Sequence, residues 1–409
     1  MARIFFMMLP EKGHINSSLK VAKALKARGH DVVYSALADL EDYVRAQGLG
    51  FAPLFGGLFP KGGDVHRDYS VSIFEGLLMR LTRVAEERGT TSFELLRAEL
   101  DSLFGPPGPR ALVLDSYLAK SLVLALRPGD PPCVLLNSTV IDPYDNPTFN
   151  AVSRMTTLFL CPEEFDLPSL EKPPQYRHVE ASCDLLREER AEFPWGRVNG
   201  EKRMVFCSLG TQAHWSHVGT DHEANQRKLK NFLQSVVNAM AERPECQLVM
   251  ALGKQLRAED FENVPADALL VGEVPQLAVL RRTWLAITHG GLNTVKECIF
   301  FGVPMLVFPL RGDQFGNAAR VMFHRLGLAS NIEKAPAGSV GGLVGQVARD
   351  GAFWDRVGRM RDVFVAREAE GRAVSLVEAC VEGRLPTPPP WVRRLKPVPA
   401  EWAAAALKS

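Results

Sequence analysis

The 409-residue chain has no C-x-x-C motif, no D-x-D motif, no long apolar run and almost no net charge. Its seven cysteines, Cys133, Cys161, Cys183, Cys207, Cys246, Cys298 and Cys380, are scattered and odd in number, so they read as reduced thiols of a cytoplasmic protein and not as a disulfide framework. No stretch approaches the roughly 18 apolar residues that a membrane-spanning helix requires. The 48 lysines and arginines nearly cancel 47 acidic residues, which leaves little attraction for nucleic acid or an acidic membrane. The opening MARIFFMMLPEKGH carries only Arg3 before a short apolar run, without a small-residue cleavage site, and reads as a first strand more than as a leader.

What is present points to two α/β domains. The length exceeds what one core usually organises. Ile4 to Leu9 forms an apolar run followed by loop chemistry, a helical pattern from Leu19 to Leu25, and Gly29 as its stop before Asp31 to Tyr34. Ala111 to Leu114, ending at Asp115, and Cys133 to Leu136, ending at Asn137 and Ser138, continue the alternation. The segment from Asp184 to Lys202 is charged and lacks sustained periodicity, so it reads as a linker. Met204 to Leu209 starts a second alternating unit. The expected division is 1–195, 196–384 and a proline-rich tail, 385–409, packing on the body through Trp391 and Trp402. Two doubly wound parallel sheets facing a cleft are the expected architecture.

The most informative stretch runs from Thr288 to Val321, THGGLNTVKECIFFGVPMLVFPLRGDQFGNAARV. Glycines follow a strand and open a helix, so backbone amides can approach a ligand closely and a helix N-terminus can attract a diphosphate. His289, Asn293 and Thr294 offer side-chain donors to phosphate oxygens, and Glu297 can accept two hydroxyl hydrogen bonds, as a ribose offers. Asp313 and Gln314 follow the next strand, with the acceptors and donors that sugar hydroxyls require. The absence of D-x-D leaves no obvious acidic pair to bridge a metal to a diphosphate, so the expected chemistry needs no metal or other cofactor.

This stretch resembles the donor-binding signature of UDP-dependent glycosyltransferases of the GT-B fold, with two Rossmann-like domains. The likeness rests on His289, Asn293, Thr294 and Glu297, on the GVP of Gly302 to Pro304, and on Asp313 with Gln314. The resemblance implies diphosphate contacts from His289, Asn293 and Thr294, a ribose contact from Glu297, sugar contacts from Asp313 and Gln314, and a place in the donor site for Gly291 and Leu292. Ser208, Gly210 and Thr211 in SLGT resemble the loop beneath the phosphates, and Val274 and Gln276 in VPQ resemble the uracil-binding turn. Glu273 stands where the family commonly has a tryptophan. GHIN at Gly13 to Asn16 resembles the general-base loop, which makes His14 the base and Asp115 its orienting partner.

Standing alone, His14 would read as a loop histidine and Asp115 as an end cap. The downstream signature gives both a function. The activity implied is inverting, metal-independent transfer of a hexose, glucose for preference, from a UDP-sugar to a hydroxyl of a small apolar natural product. Glu297 carries the expected preference for UDP over TDP. A sugar-nucleotide epimerase and a noncatalytic nucleotide-sugar-binding partner are the rivals. His214, His217 and His222 read as solvated loop histidines, and Phe74, Leu77, Leu78, Met79 and Tyr144 to Phe159 as acceptor-pocket lining or ordinary core.

Overall fold

The computed structural model describes residues 1–62, 73–139, 155–168, 174–210, 222–332 and 337–385. In β1, Arg3–Met7, side chains alternate between two faces, so Ile4 and Phe6 enter one core while Phe5 and Met7 enter another. Both faces are covered, which is why the strand reads as an unbroken apolar run. The chain continues through α1 (Lys12–Ala27), β2 (Asp31–Ala36), α2 (Glu41–Ala46), β3 (Gly50–Pro53), α3 (Ile73–Glu87) and α4 (Ser92–Phe104). Next come β4 (Ala111–Asp115), α5 (Ser116–Ala125), β5 (Cys133–Asn137), β6 (Thr157–Phe159) and β7 (Tyr176–His178). These strands form one sheet in the order β3-β2-β1-β4-β5-β6-β7, parallel at every pairing.

The second sheet repeats the design. It is built from β8 (Arg203–Ser208), α6 (His222–Ala241), β9 (Cys246–Ala251), β10 (Leu269–Val271), α7 (Gln276–Leu280) and β11 (Thr283–Thr288). It continues with α8 (Leu292–Phe301), β12 (Met305–Val307), α9 (Gln314–Phe323) and β13 (Gly327–Ala329). In β8, Met204 and Phe206 face one core while Val205 and Cys207 face the other. The strand order is β10-β9-β8-β11-β12-β13, again parallel. Each sheet therefore reverses its winding once, between β1 and β4 and between β8 and β11. Ligands of such sheets bind beyond the strand ends at these reversals.

Helices α10 (Ala337–Arg349) and α11 (Ala352–Glu368) pack on the second sheet, but the last helix does not. Ala373, Val374, Val377 and Cys380 of α12, Arg372–Val381, join the core beneath β1, so the segment expected as the second domain ends by returning to the first. In the opposite direction, Cys161, Phe165, Ala181 and Cys183 enter a core of the second sheet. Lys296 on α8 is fully buried and donates to the carbonyls of Ala181 at 2.8 Å and Leu160 at 3.2 Å. An unpaired buried ammonium would cost several kcal/mol, so these carbonyls decide whether it can be there. The backbone amide of Ser182 donates to Glu368 at 2.8 Å, and that of Ala373 donates to Glu180 at 3.1 Å. All seven cysteines are free. Among the described residues, no helix is long and apolar enough to cross a membrane. Residues 386–409 of the expected tail lie outside the described residues, and Leu385 packs against the core beneath β1.

Candidate active site

Both winding reversals present residues singled out from the sequence. Beyond β1 the backbone turns into α1 with His14 in its first turn, and β4 ends at Asp115, which caps α5 by accepting from the Tyr117 amide. His14 Nδ1 lies 2.7 Å from Asp115 Oδ2, and Asp115 is fully buried. Ser138, at the end of β5, places its Oγ 3.2 Å from the same nitrogen. With Nδ1 engaged, Nε2 is the nitrogen left for another partner. Burial by itself would lower the His14 pKa, but Asp115, with Glu11 and Asp313, outweighs it and the pKa is raised.

The β11 turn is shaped by glycines around His289. A Cβ on Gly210 would lie 2.6 Å from the imidazole, and one on Gly291 also 2.6 Å from it, so the ring occupies the space that two missing side chains leave. Gly290 has φ +83° and would clash with Val307 at 2.6 Å if it carried a Cβ. Burial, helped by the nearby Arg311 charge, pushes the His289 pKa down to about 4 against an opposing hydrogen bond to the Ser208 backbone. The ring is therefore neutral near pH 7. Ser208 ends β8, and its Oγ accepts from the Gly210 amide at 3.4 Å. Thr211 lies outside the described residues.

Helix α8 begins at Leu292 with Gly291 as its N-cap and no side-chain cap, which leaves its first amides free for a ligand. It stops at Gly302, whose φ of +71° and the Val303 amide bond to Cys298 at 2.8 Å account for the GVP sequence. Asn293 donates across the cleft to the Gly13 carbonyl at 2.7 Å, so the loop that opens α8 and the His14 loop meet. Leu292 is buried and Thr294 half-buried. The Thr294 hydroxyl accepts from Gln276 Nε2 at 3.4 Å.

Glu297 is buried and its two oxygens are engaged. Oε1 accepts from Arg187, and Oε2 accepts from Gln276 at 2.5 Å. Arg187 also pairs with Glu189 at 3.1 Å, and Glu189 accepts from the Leu277 amide at 2.9 Å in the VPQ turn. Val274 is half-buried against the second sheet's core, and Glu273 beside it is exposed. Asp313 accepts from Asn317 at 2.9 Å and lies close enough to His14 for the two charges to interact. Its pKa is raised, by burial above all. Gln314 turns its carbonyl to the amides of Leu310 at 2.8 Å and Arg311 at 3.1 Å, fixing the loop that carries Asp313.

Ser138, Arg187 and Glu189 were not foreseen from the sequence as site residues. Ser138 had a signal, a polar residue ending an apolar run, whereas the Arg187 segment had only charge. Of the acceptor-pocket candidates, Met79 is exposed and Phe159 lies in the core, tilted against Tyr176. The side chains of Phe74, Leu77 and Leu78, residues 144–154, and the side chains of His214, His217 and His222 lie outside what the structure describes.

Residues 198–367 match the family model described as UDP-glucoronosyl and UDP-glucosyl transferase. That match spans the second sheet and its helices, and over the whole chain the fold is that of GT-B glycosyltransferase structures. An uncharacterized UDP-glucosyltransferase, YojK of Bacillus subtilis (strain 168), is 24% identical over 83% of this chain and 85% of its own length. Oleandomycin glycosyltransferase of Streptomyces antibioticus is 25% identical over 94% and 92%. In fold, the spinosyn rhamnosyltransferase SpnG solved with thymidine diphosphate superimposes with a TM-score of 0.65 at 21% identity, covering 97% of this chain and 100% of SpnG.

Proposed function

We propose that this glycosyltransferase moves glucose from UDP-glucose to a hydroxyl of a small, largely apolar natural product, with inversion and without a metal. The observation that carries the reading is the His14–Asp115 pair facing Asp313 and the phosphate loop across one cleft. The acceptor hydroxyl gives its proton to His14 Nε2 as its oxygen attacks the anomeric carbon from the face opposite the diphosphate. One carbon–oxygen bond forms while the bond to the diphosphate breaks, and UDP leaves with the electron pair. Asp115 holds the imidazole and stabilises the imidazolium that results. The α8 amides, neutral His289, Asn293 and Thr294 receive the growing charge on the leaving diphosphate, and Asp313 with Gln314 meets the sugar hydroxyls. The acceptor class is supported by the names of relatives such as oleandomycin glycosyltransferase.

The experiment is a mass-spectrometric screen of UDP- and TDP-sugars against hydroxylated aglycones, run with and without EDTA. A product heavier by one hexosyl unit in both conditions is expected. Epimerised donor without glycosylated product would replace this reading with the epimerase one. Activity lost in EDTA and restored by Mg²⁺ would remove metal independence.

A further inference from the structure

Three neighbouring strands of the first sheet deliver three side chains to one point. In the order β1-β4-β5, the turn after β1 leads to His14, β4 ends at Asp115 and β5 is followed by Ser138. Asp115 pairs with Leu136 in the register of β4 and β5, so Ser138 emerges two residues beyond the level of the carboxylate. Asn137 fixes the turn there by accepting from the Thr139 amide at 2.8 Å and the Thr139 hydroxyl at 2.7 Å. Ser138 is buried, and its Oγ lies 3.2 Å from His14 Nδ1, against 2.7 Å for Asp115 Oδ2. A ring nitrogen has one position to share, a hydrogen or a lone pair. A carboxylate accepts only, so the nearer and charged Asp115 requires Nδ1–H. The Ser138 oxygen then meets that hydrogen as a second, weaker acceptor, and the hydroxyl hydrogen points away from the ring.

We propose that Ser138 is a positioning residue of the transfer reaction: its oxygen takes the second branch of the Nδ1–H bond and so holds the His14 ring with the Nε2 lone pair directed into the cleft. The proposal rests on the reading of His14 as the base. Asp115 alone fixes the distance of Nδ1 but leaves the ring free to rock about that single bond, and an oxygen from the neighbouring strand opposes the rocking. Tyr117 limits the ring from another direction, packed perpendicular to it with 5.4 Å between centroids. The same oxygen also acts on charge. Nδ1–H is present both in the neutral ring that takes the acceptor's proton and in the imidazolium that results, but its bond is stronger in the charged form, so Ser138 favours proton uptake. The other charges that face the ring are Asp115 from β4, Glu11 from its own loop and Asp313 from across the cleft, and a Ser138 variant leaves all three in place.

Nuclear magnetic resonance of the full-length protein with isotope-labelled histidine tests this without any substrate, the His14 signals being assigned by their loss in His14→Ala. Wild type with His14 neutral should show Nδ1 protonated and Nε2 bare. The opposite tautomer would overturn the proposal with no variant needed, because Ser138 would then donate to a bare Nδ1. Ser138→Thr and Ser138→Val have nearly the same shape, and only threonine keeps the oxygen. The valine variant should titrate His14 at lower pH than the threonine variant and turn over acceptor about three- to tenfold more slowly, the loss of one hydrogen bond, with equal affinity for UDP. Ser138→Ala, which adds no bulk, should shift in the same direction from wild type. Matching His14 titration and turnover in the threonine and valine variants, or in the alanine variant and wild type, would overturn the proposal. Wild type that shows the expected tautomer and yet glycosylates no acceptor would instead remove the transfer reading, and the inference with it.

Discussion

Replacing Asp115 with asparagine changes few atoms and should cost most of the activity. The carboxylate has three donors around it: His14 Nδ1 at 2.7 Å and the Leu9 amide at 3.3 Å on Oδ2, and the Tyr117 amide at 2.9 Å on Oδ1. Asparagine has one oxygen to share. If that oxygen faces His14, the NH₂ group meets the Tyr117 amide and the α5 cap is lost, at about 0.5–2 kcal/mol. If it faces Tyr117, the NH₂ group meets His14, and Nδ1 must accept a hydrogen bond. The imidazole proton then moves to Nε2, and the lone pair that should take the acceptor proton disappears. The second arrangement gives up only the long Leu9 contact and should prevail. Turnover should fall by about two to four orders of magnitude, with little change in UDP affinity.

The pH profile gives a second readout of the same variant. Catalysis needs neutral His14, and Asp115 raises its pKa, so the acid limb of wild type lies above the ordinary histidine value of 6.5. Removing the charge should move that limb to lower pH while the plateau drops. Combining Asp115→Asn with His14→Ala should cost little more than His14→Ala alone, since both act in one proton transfer. Steady-state turnover of an unactivated alcohol acceptor across pH 5–9 (about the range in which histidine titrates) checks all of this. Wild-type turnover in Asp115→Asn, an acid limb that moves up, or strict additivity would refute the pair as base and positioning residue.

Gly291→Ala tests the space around His289, since its φ of −58° suits any residue and only the 2.6 Å approach to the ring opposes a methyl group. UDP affinity should fall by about tenfold or more, and an unchanged calorimetric titration would mean that the ring's placement does not matter to the donor. Lys296→Ala leaves the Leu160 and Ala181 carbonyls without their donor, at about 1–3 kcal/mol each. Its thermal midpoint should drop by about 2–7 °C, and a wild-type melting curve would show that the buried ammonium does not hold the domains together.

The parallel sheets were legible because β1, β8 and β11 are covered on both faces and therefore appear as apolar runs that end in polar residues. The helix start at Leu292 and its stop at Gly302 were legible from glycines that backbone geometry requires. Asp115 closes an apolar strand, which alone reads as an end cap, and it took its role from the resemblance that also marked His14. Arg187 was not legible. Its part depends on a long-range pairing with Glu297 that no local periodicity records, and the segment that carries it had only charge to show. The return of α12 to the first domain was hidden for a related reason: an amphipathic helix announces that it has an apolar face, not which core that face will join.

That return gives the molecule two covalent crossings between its halves, one leaving the first domain after Glu180 and Ser182, the other coming back between Glu368 and Ala373. The crossings are tied to each other, Ser182 to Glu368 and Ala373 to Glu180. Bodies joined by one strand can twist, slide and swing, whereas bodies joined by two adjacent strands keep chiefly the swing. The crossings then act as a pivot, and displacement grows with distance from it. Arg187 follows Ser182 closely in the chain and travels little, so its hold on Glu297 survives the motion. The Asn293 contact to Gly13 joins the two leaves of the cleft and has to part when they separate. A swing about these crossings would open the cleft at the Asn293–Gly13 contact while leaving the Arg187–Glu297 pairing in place.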